Sequence, residues 1–287
     1  MRAPFCLLLF ATLTLAQDVP ITRLAGVSFK VAELEKARQF YTGILGLEEA
    51  FLLKDAGGTI QSVFFKINDD QYLEFSPGAP QNFQLDHVSL LTADLEKARA
   101  WLQERGISPG TVASSPDGNP YFAVKDPDQT EIRFVRYLPG SPQAKHRGKP
   151  ATDKRVSDHL QHVGLAADQE PASLAFYGQK LGFREFNRGG PTPGELRWIN
   201  LDMPGTLGDR MELMVLAAAS APSRQHIGLE VPDIQRTYKQ LLANGLPNRF
   251  KPFPAQNPVN RWIMFIRDPN GVRIEFMGEA VDPKQGK

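Results

Sequence analysis

The chain of 287 residues contains a single cysteine, Cys6. One thiol makes no intrachain disulfide and no thiolate metal cluster, which excludes disulfide scaffolds and zinc fingers. An excess of either charge is missing too, with 33 Lys and Arg against 32 Asp and Glu. No basic surface for nucleic acid and no acidic disordered tail is implied. Long apolar runs are absent as well. The run from Cys6 to Leu15 falls well short of the roughly 20 residues a membrane helix needs. Histidine is scarce, with five in the chain, and three of those five hold one repeated position.

That short apolar run follows Arg2 and ends at Ala16, ahead of the polar Gln17-Asp18. The pattern predicts a signal peptide over 1–16 and export to a periplasmic or extracellular space. Cleavage there removes Arg2 and Cys6, leaving a cysteine-free chain.

The rest of the sequence is one unit written four times. Gln161-His162-Val163-Gly164-Leu165 returns at Gln225-His226-Ile227-Gly228-Leu229. Asp86-His87-Val88-Ser89-Leu90 keeps the histidine, and Ala25-Gly26-Val27-Ser28-Phe29 loses it. Each strand-like opening leads into a helical pattern, as in Asp94-Leu-Glu-Lys-Ala-Arg-Ala-Trp101, with Asp94 placed to cap it. Each helix is expected to stop at a glycine before a bulky apolar residue: Gly46-Leu47, Gly106-Ile107, Gly182-Phe183 and Gly245-Leu246. Those glycines lie 19 or 20 residues after the opening strand in all four copies. Aromatic and β-branched segments complete each unit as strands, and the Asp126-Pro127 and Asp268-Pro269 turns precede two of the last strands. Between the second and third copies, 138–157 is rich in Pro, Gly and basic residues and reads as a solvated linker. The expected organisation is an N-terminal domain over 21–137 and a C-terminal domain over 158–279, each made of two units.

Four βαβββ modules, paired, with histidine on the first strand and glutamate on the last, resemble the vicinal oxygen chelate superfamily. That superfamily includes glyoxalases, bleomycin resistance proteins and extradiol dioxygenases. The resemblance implies an α+β fold in which each pair of modules forms a half-open barrel with a metal in its cleft. Aligning the last strands then assigns four positions to each cleft. The N-terminal pair offers Gly26, Glu74, His87 and Arg133; the C-terminal pair offers His162, Glu212, His226 and Glu275. Glycine has no donor and arginine is a cation, so the first cleft reads as degenerate, with Glu74 left to pair with Arg133. The second reads as a metal site of His162, His226, Glu275 and Glu212, with Glu212 as a fourth ligand or a catalytic base. His159 is expected on the opposite strand face by simple alternation, and His146 falls in the linker.

The resemblance thus implies a divalent ion, with Fe, Mn, Zn, Ni and Co all suited to the donors, and a small-molecule substrate with vicinal oxygens. It names no nucleic-acid partner and no membrane span, and it is compatible with a homo-oligomer. Extradiol-type ring cleavage is opposed by Phe265, which stands where those enzymes carry a tyrosine, and by the lack of any histidine after His226. Glyoxalase-type proton transfer at a carbon beside a carbonyl suits the complete ligand set better. A protein that sequesters a small molecule without turnover is the alternative from another class.

Overall fold

The computed structural model of the chain describes residues 19–215, 225–249, 251–254 and 262–279. The expected signal peptide, 1–16, lies outside the described residues. Each module runs strand, helix, three strands. The first is β1 (Arg23–Val31), α1 (Leu34–Gly43), β2 (Glu48–Lys54), β3 (Ile60–Lys66) and β4 (Tyr72–Pro77); the second is β5 (Phe83–Leu91), α2 (Leu95–Glu104), β6 (Ala113–Ser114), β7 (Pro120–Lys125) and β8 (Glu131–Val135). After a short helix α3 (Pro142–His146), the third is β9 (His159–Ala166), α4 (Glu170–Leu174), β10 (Arg184–Gly189), β11 (Trp198–Asp202) and β12 (Arg210–Met214). The fourth is β13 (His226–Val231), α5 (Ile234–Ala243), β14 (Phe253–Pro254), β15 (Trp262–Arg267) and β16 (Arg273–Gly278). Among the described residues no helix is long and apolar enough to cross a membrane.

Two modules make one eight-stranded mixed sheet, in the order β2-β3-β4-β1-β5-β8-β7-β6 and, in the second domain, β10-β11-β12-β9-β13-β16-β15-β14. The two opening strands of each pair are antiparallel neighbours at the centre, and each lies parallel to its own module's last strand. Sequence alternation sorts the faces. On β13, Ile227, Leu229 and Val231 join the core, and on β16 Ile274 and Phe276 do the same, each worth about 1.5–3 kcal/mol of burial. The residues between them are left for the cleft of the half-barrel. Asp94 and Asp233 cap α2 and α5 through the backbone N–H groups of Lys97 and Arg236. The four stop glycines, Gly46, Gly106, Gly182 and Gly245, all have φ between 66° and 101°, the left-handed geometry that side chains disfavour. In the third module the helix continues from α4 as a π-helical turn over Ala175–Lys180.

The segment 138–157 is exposed along much of its length, as its composition suggests, and is also anchored by buried contacts. Ser141 caps α3 by accepting from Ala144 N–H, and the buried Gln143 side chain bonds Asn119 and Asp117 at 2.8 and 2.7 Å. Lys66, only 5% exposed, donates to the carbonyls of His146 and Lys149. A buried ammonium needs acceptors, and this polar segment supplies them.

The domains are joined by buried polar contacts. The Gln71 side chain donates to the carbonyls of Leu24 on β1 and Leu160 on β9, and accepts from Leu160 N–H. The Tyr177 hydroxyl donates to Asp126 at 2.8 Å. Tyr41 and Asp268 are both buried at the same junction, where burial and the nearby Asp268 charge raise the Tyr41 hydroxyl pKa.

Candidate functional site

Two rows of side chains cross the cleft face of the second sheet. One runs Arg210, His162, Gly228, Glu275 and Phe265 over β12, β9, β13, β16 and β15. The other, one pleat away, runs Glu212, Gly164, His226 and Arg273. Members of the two rows lie two residues apart on each strand, so all share one face. Read from opposite ends, both rows spell Arg, His, Gly, Glu. The cleft therefore has an approximate two-fold axis, inherited from the repeat.

The glycines of that pattern are steric requirements. A Cβ on Gly164 would lie 2.1 Å from the His226 ring, and one on Gly228 would lie 1.9 Å from the His162 ring. Each imidazole folds over the bare backbone of the facing strand and so reaches the axis. The rings cross at 83° with centroids 5.2 Å apart, and their Nε2 atoms are 3.1 Å apart. Glu212 Oε2 lies 2.9 Å from His226 Nε2, and Glu275 Oε2 lies 3.5 Å from His226 and 3.9 Å from His162. One donor atom from each residue falls within 4.8 Å of the other three.

Electrostatics inside this cluster is tightly coupled. Burial first, then the neighbouring His226 charge, pushes His162 down to about 3. Burial also opposes charge on His226, but the hydrogen bond and charge of Glu212 prevail and raise it. Glu212 is correspondingly lowered: burial works against its charge, and the bond from His226 outweighs that. Glu275 rises to about 7 through burial and then repulsion from Glu212. Two imidazoles and two carboxylates converging in so small a buried volume are a donor set that a divalent cation fits.

The first sheet carries the same rows in decayed form: Tyr72, Gly26, Ser89 and Arg133, then Glu74, Ser28, His87 and Glu131. The ring-accepting glycines are serines here. Gly26 has lost more than a side chain, because a Cβ there would lie 2.0 Å from the Tyr72 carbonyl oxygen. The expected Glu74–Arg133 pair does not form. Glu74 accepts from Ser62 at 2.7 Å, while Arg133 turns back to Glu131 on its own strand at 2.6 Å and lies over Tyr121. A cavity of about 70 Å³ remains, lined by Gly26, Glu74, His87, Tyr121 and Arg133 among others.

His159 differs from expectation in its face and not in its exclusion from the cluster. Pairing slips between Gly228/His162 and Leu229/Leu160, leaving Gln161 as a bulge, and a bulge resets the alternation. His159 returns to the cleft side but at the strand end, bonded to Glu230 and Asp209 at 2.8 Å each. Two features escaped the sequence reading. They are the arginines Arg210 and Arg273, and the spacer role of Gly164 and Gly228. Both were signalled by repetition, as Arg-x-Glu on the last strands and His-x-Gly on the first.

Duplicated βαβββ pairs with two His and two Glu at the centre of one half-barrel define a vicinal-oxygen-chelate architecture. The chain belongs to the Glyoxalase/Bleomycin resistance protein/Dioxygenase superfamily, whose family model matches residues 23–134 and again 159–276. Among solved structures it is similar to the Mn(II)-bound glyoxalase from Novosphingobium aromaticivorans, at TM-score 0.69 and 18% identity, covering 93% of this chain and 86% of that one. It is also similar to the 2,3-dioxygenase LapB from Pseudomonas sp. KL28, at 0.67 and 17%, with 92% and 94% covered. The substrate complex of homoprotocatechuate 2,3-dioxygenase from Brevibacterium fuscum gives 0.65 and 20%, with 93% and 85% covered. At these identities the likeness is one of fold. No curated protein matches the sequence.

Proposed function

We propose that His162, His226, Glu275 and Glu212 hold one divalent ion and that the protein is an enzyme acting on a small molecule with two neighbouring oxygens. The observation that carries this reading is the convergence of four donor atoms within 4.8 Å in a buried cleft. Mn, Fe, Zn, Ni and Co all accept such N/O donors. A bound ion supplies Lewis-acid polarisation of the substrate oxygens. His162 binds as the neutral imidazole, and Glu275 gives up its proton on binding. Glu212 sits beside His226 at 2.9 Å and serves as the base that moves a proton at the carbon next to the carbonyl. Phe265 pairs across from Glu275 and has no proton to give, so a lyase or isomerase step fits better than ring cleavage.

The test is Glu212→Gln in metal-loaded protein, followed by proton exchange in deuterated water on α-hydroxycarbonyl substrates. Glutamine keeps the volume and removes the base, so exchange per bound ion should fall by about 10²-fold or more. Unchanged turnover, or catechol cleavage that survives the substitution, would replace this reading with a dioxygenase-like site. Tight binding of such substrates with no exchange in the unmodified protein would make it a sequestering protein.

A further inference from the structure

We propose that the cavity of the first domain binds a small protonated amine without a metal, the Glu74 carboxylate taking its N–H group and the rings of Phe64, Tyr72 and Tyr137 enclosing its alkyl part. The cavity lies on the cleft face of the first sheet, where Gly26 occupies the position that His162 holds in the second. Its volume of about 70 Å³ is room for roughly five waters at about 10–15 Å³ each, and so for a ligand of about five non-hydrogen atoms. Much of its wall is aromatic. Tyr72 and Tyr137 meet at 84° with ring centroids 6.3 Å apart, and Phe64 is backed by Phe51 at 4.4 Å. Both tyrosine hydroxyls donate to backbone carbonyls, Tyr72 to Gln143 at 3.5 Å and Tyr137 to Asp70 at 3.3 Å, which holds the rings in place. Aromatic faces attract a cation.

The charges point the same way. Among the described residues lining the cavity, Arg133 is the one permanent cation, and it is already paired: its Nε donates to Glu131 at 2.6 Å and its Nη1 to His87 Nε2 at 3.3 Å. A guanidinium has no acceptor, so His87 Nε2 holds a lone pair, and the ring's N–H is Nδ1, which donates to Asp86 at 3.0 Å. In that form His87 offers no charge to offset Glu74, although the two stand 3.6 Å apart. Glu74 Oε1 accepts from the Ser62 hydroxyl at 2.7 Å, and Oε2 accepts no hydrogen bond among the described residues. Asp117, also on the cavity, accepts only from the neutral donors of Ser115, Asn119 and Gln143. Two partly buried carboxylates thus border an aromatic cavity without a cationic partner, and charge in such a place is costly until something pairs with it. A protonated amine supplies the missing charge and an N–H for Oε2. An anion would be repelled by the same carboxylates.

The test uses the full chain treated with a chelator and two probes of one size and shape that differ in charge, tert-butylammonium and tert-butanol. Titration followed through backbone amide chemical shifts should show the ammonium binding at least about tenfold tighter, one charge-assisted contact, with the shifts centred on Gly26 and Glu74. This comparison needs no variant to fold. Glu74→Gln should abolish the preference and leave tert-butanol binding unchanged. Tyr137→Leu keeps both carboxylates and removes one wall, so it should weaken the ammonium by at least about threefold. Metal-loaded protein should bind the ammonium equally well, because none of the four residues of the second cleft takes part. Equal affinity for the two probes in the unmodified chain, a preference that survives Glu74→Gln, tighter binding of the anion pivalate, or shifts confined to the second domain would overturn the assignment.

Discussion

Gly228→Ala is the most discriminating perturbation of the cleft, because it substitutes none of the proposed ligands. The new methyl would sit 1.9 Å from the nearest His162 ring atom, so the ring must retreat by roughly 1.5 Å to reach an ordinary contact near 3.4 Å. His162 is 1% exposed and flanked by the core residues Leu160 and Val163, and overpacking of this kind costs about 1–3 kcal/mol of stability. The larger effect falls on the metal. Ligand distances tolerate only about 0.2 Å, so the displaced imidazole is lost as a ligand and affinity should fall by at least ~10²-fold. Competition against a chelator measures the affinity, and thermal unfolding by circular dichroism measures the fold. Ser89→Ala, at the matching position facing Gly26, is the control and should change neither. Unaltered metal affinity in Gly228→Ala would refute the view that bare backbone places the His162 ring at the axis.

Two further outcomes test the frame around the cleft. His159 is held between Asp209 and Glu230; burial opposes its charge, but their hydrogen bonds outweigh this and raise it to about 9. The folded value lies above the unfolded one, so this stabilisation is complete below about pH 6.5 and is lost as pH rises through 9. His159→Gln should therefore cost about 1–3 kcal/mol in urea unfolding at pH 6 and little at pH 10; equal losses at both would show that the charge is irrelevant. Tyr177→Phe removes the buried hydroxyl that donates to Asp126 across the domain junction. It should cost about 1–3 kcal/mol and leave metal content unchanged.

Much of this architecture was legible because a repeat repeats its physics. His162 and His226 could be matched to Glu212 and Glu275 by alignment alone, and the stop glycines fixed the ends of the helices. What stayed hidden depends on pairing between distant strands. The bulge at Gln161, which returns His159 to the cleft side, exists only in the register between β9 and β13. The burial of Lys66 against the end of α3 and the residues after it joins residues about 80 positions apart, and a polar composition says nothing of such a partner. Arg210 and Arg273 were in view as Arg-x-Glu. Their meaning appears only when each is seen across from a histidine, with an aromatic ring beneath.

Metal stoichiometry in the purified full chain tests most directly whether His162, Glu212, His226 and Glu275 form one metal centre. Elemental analysis should find one divalent ion per chain, lost in both His226→Ala and Glu275→Gln while circular dichroism shows the fold retained. No bound ion, or an ion that survives both substitutions, would contradict that assignment.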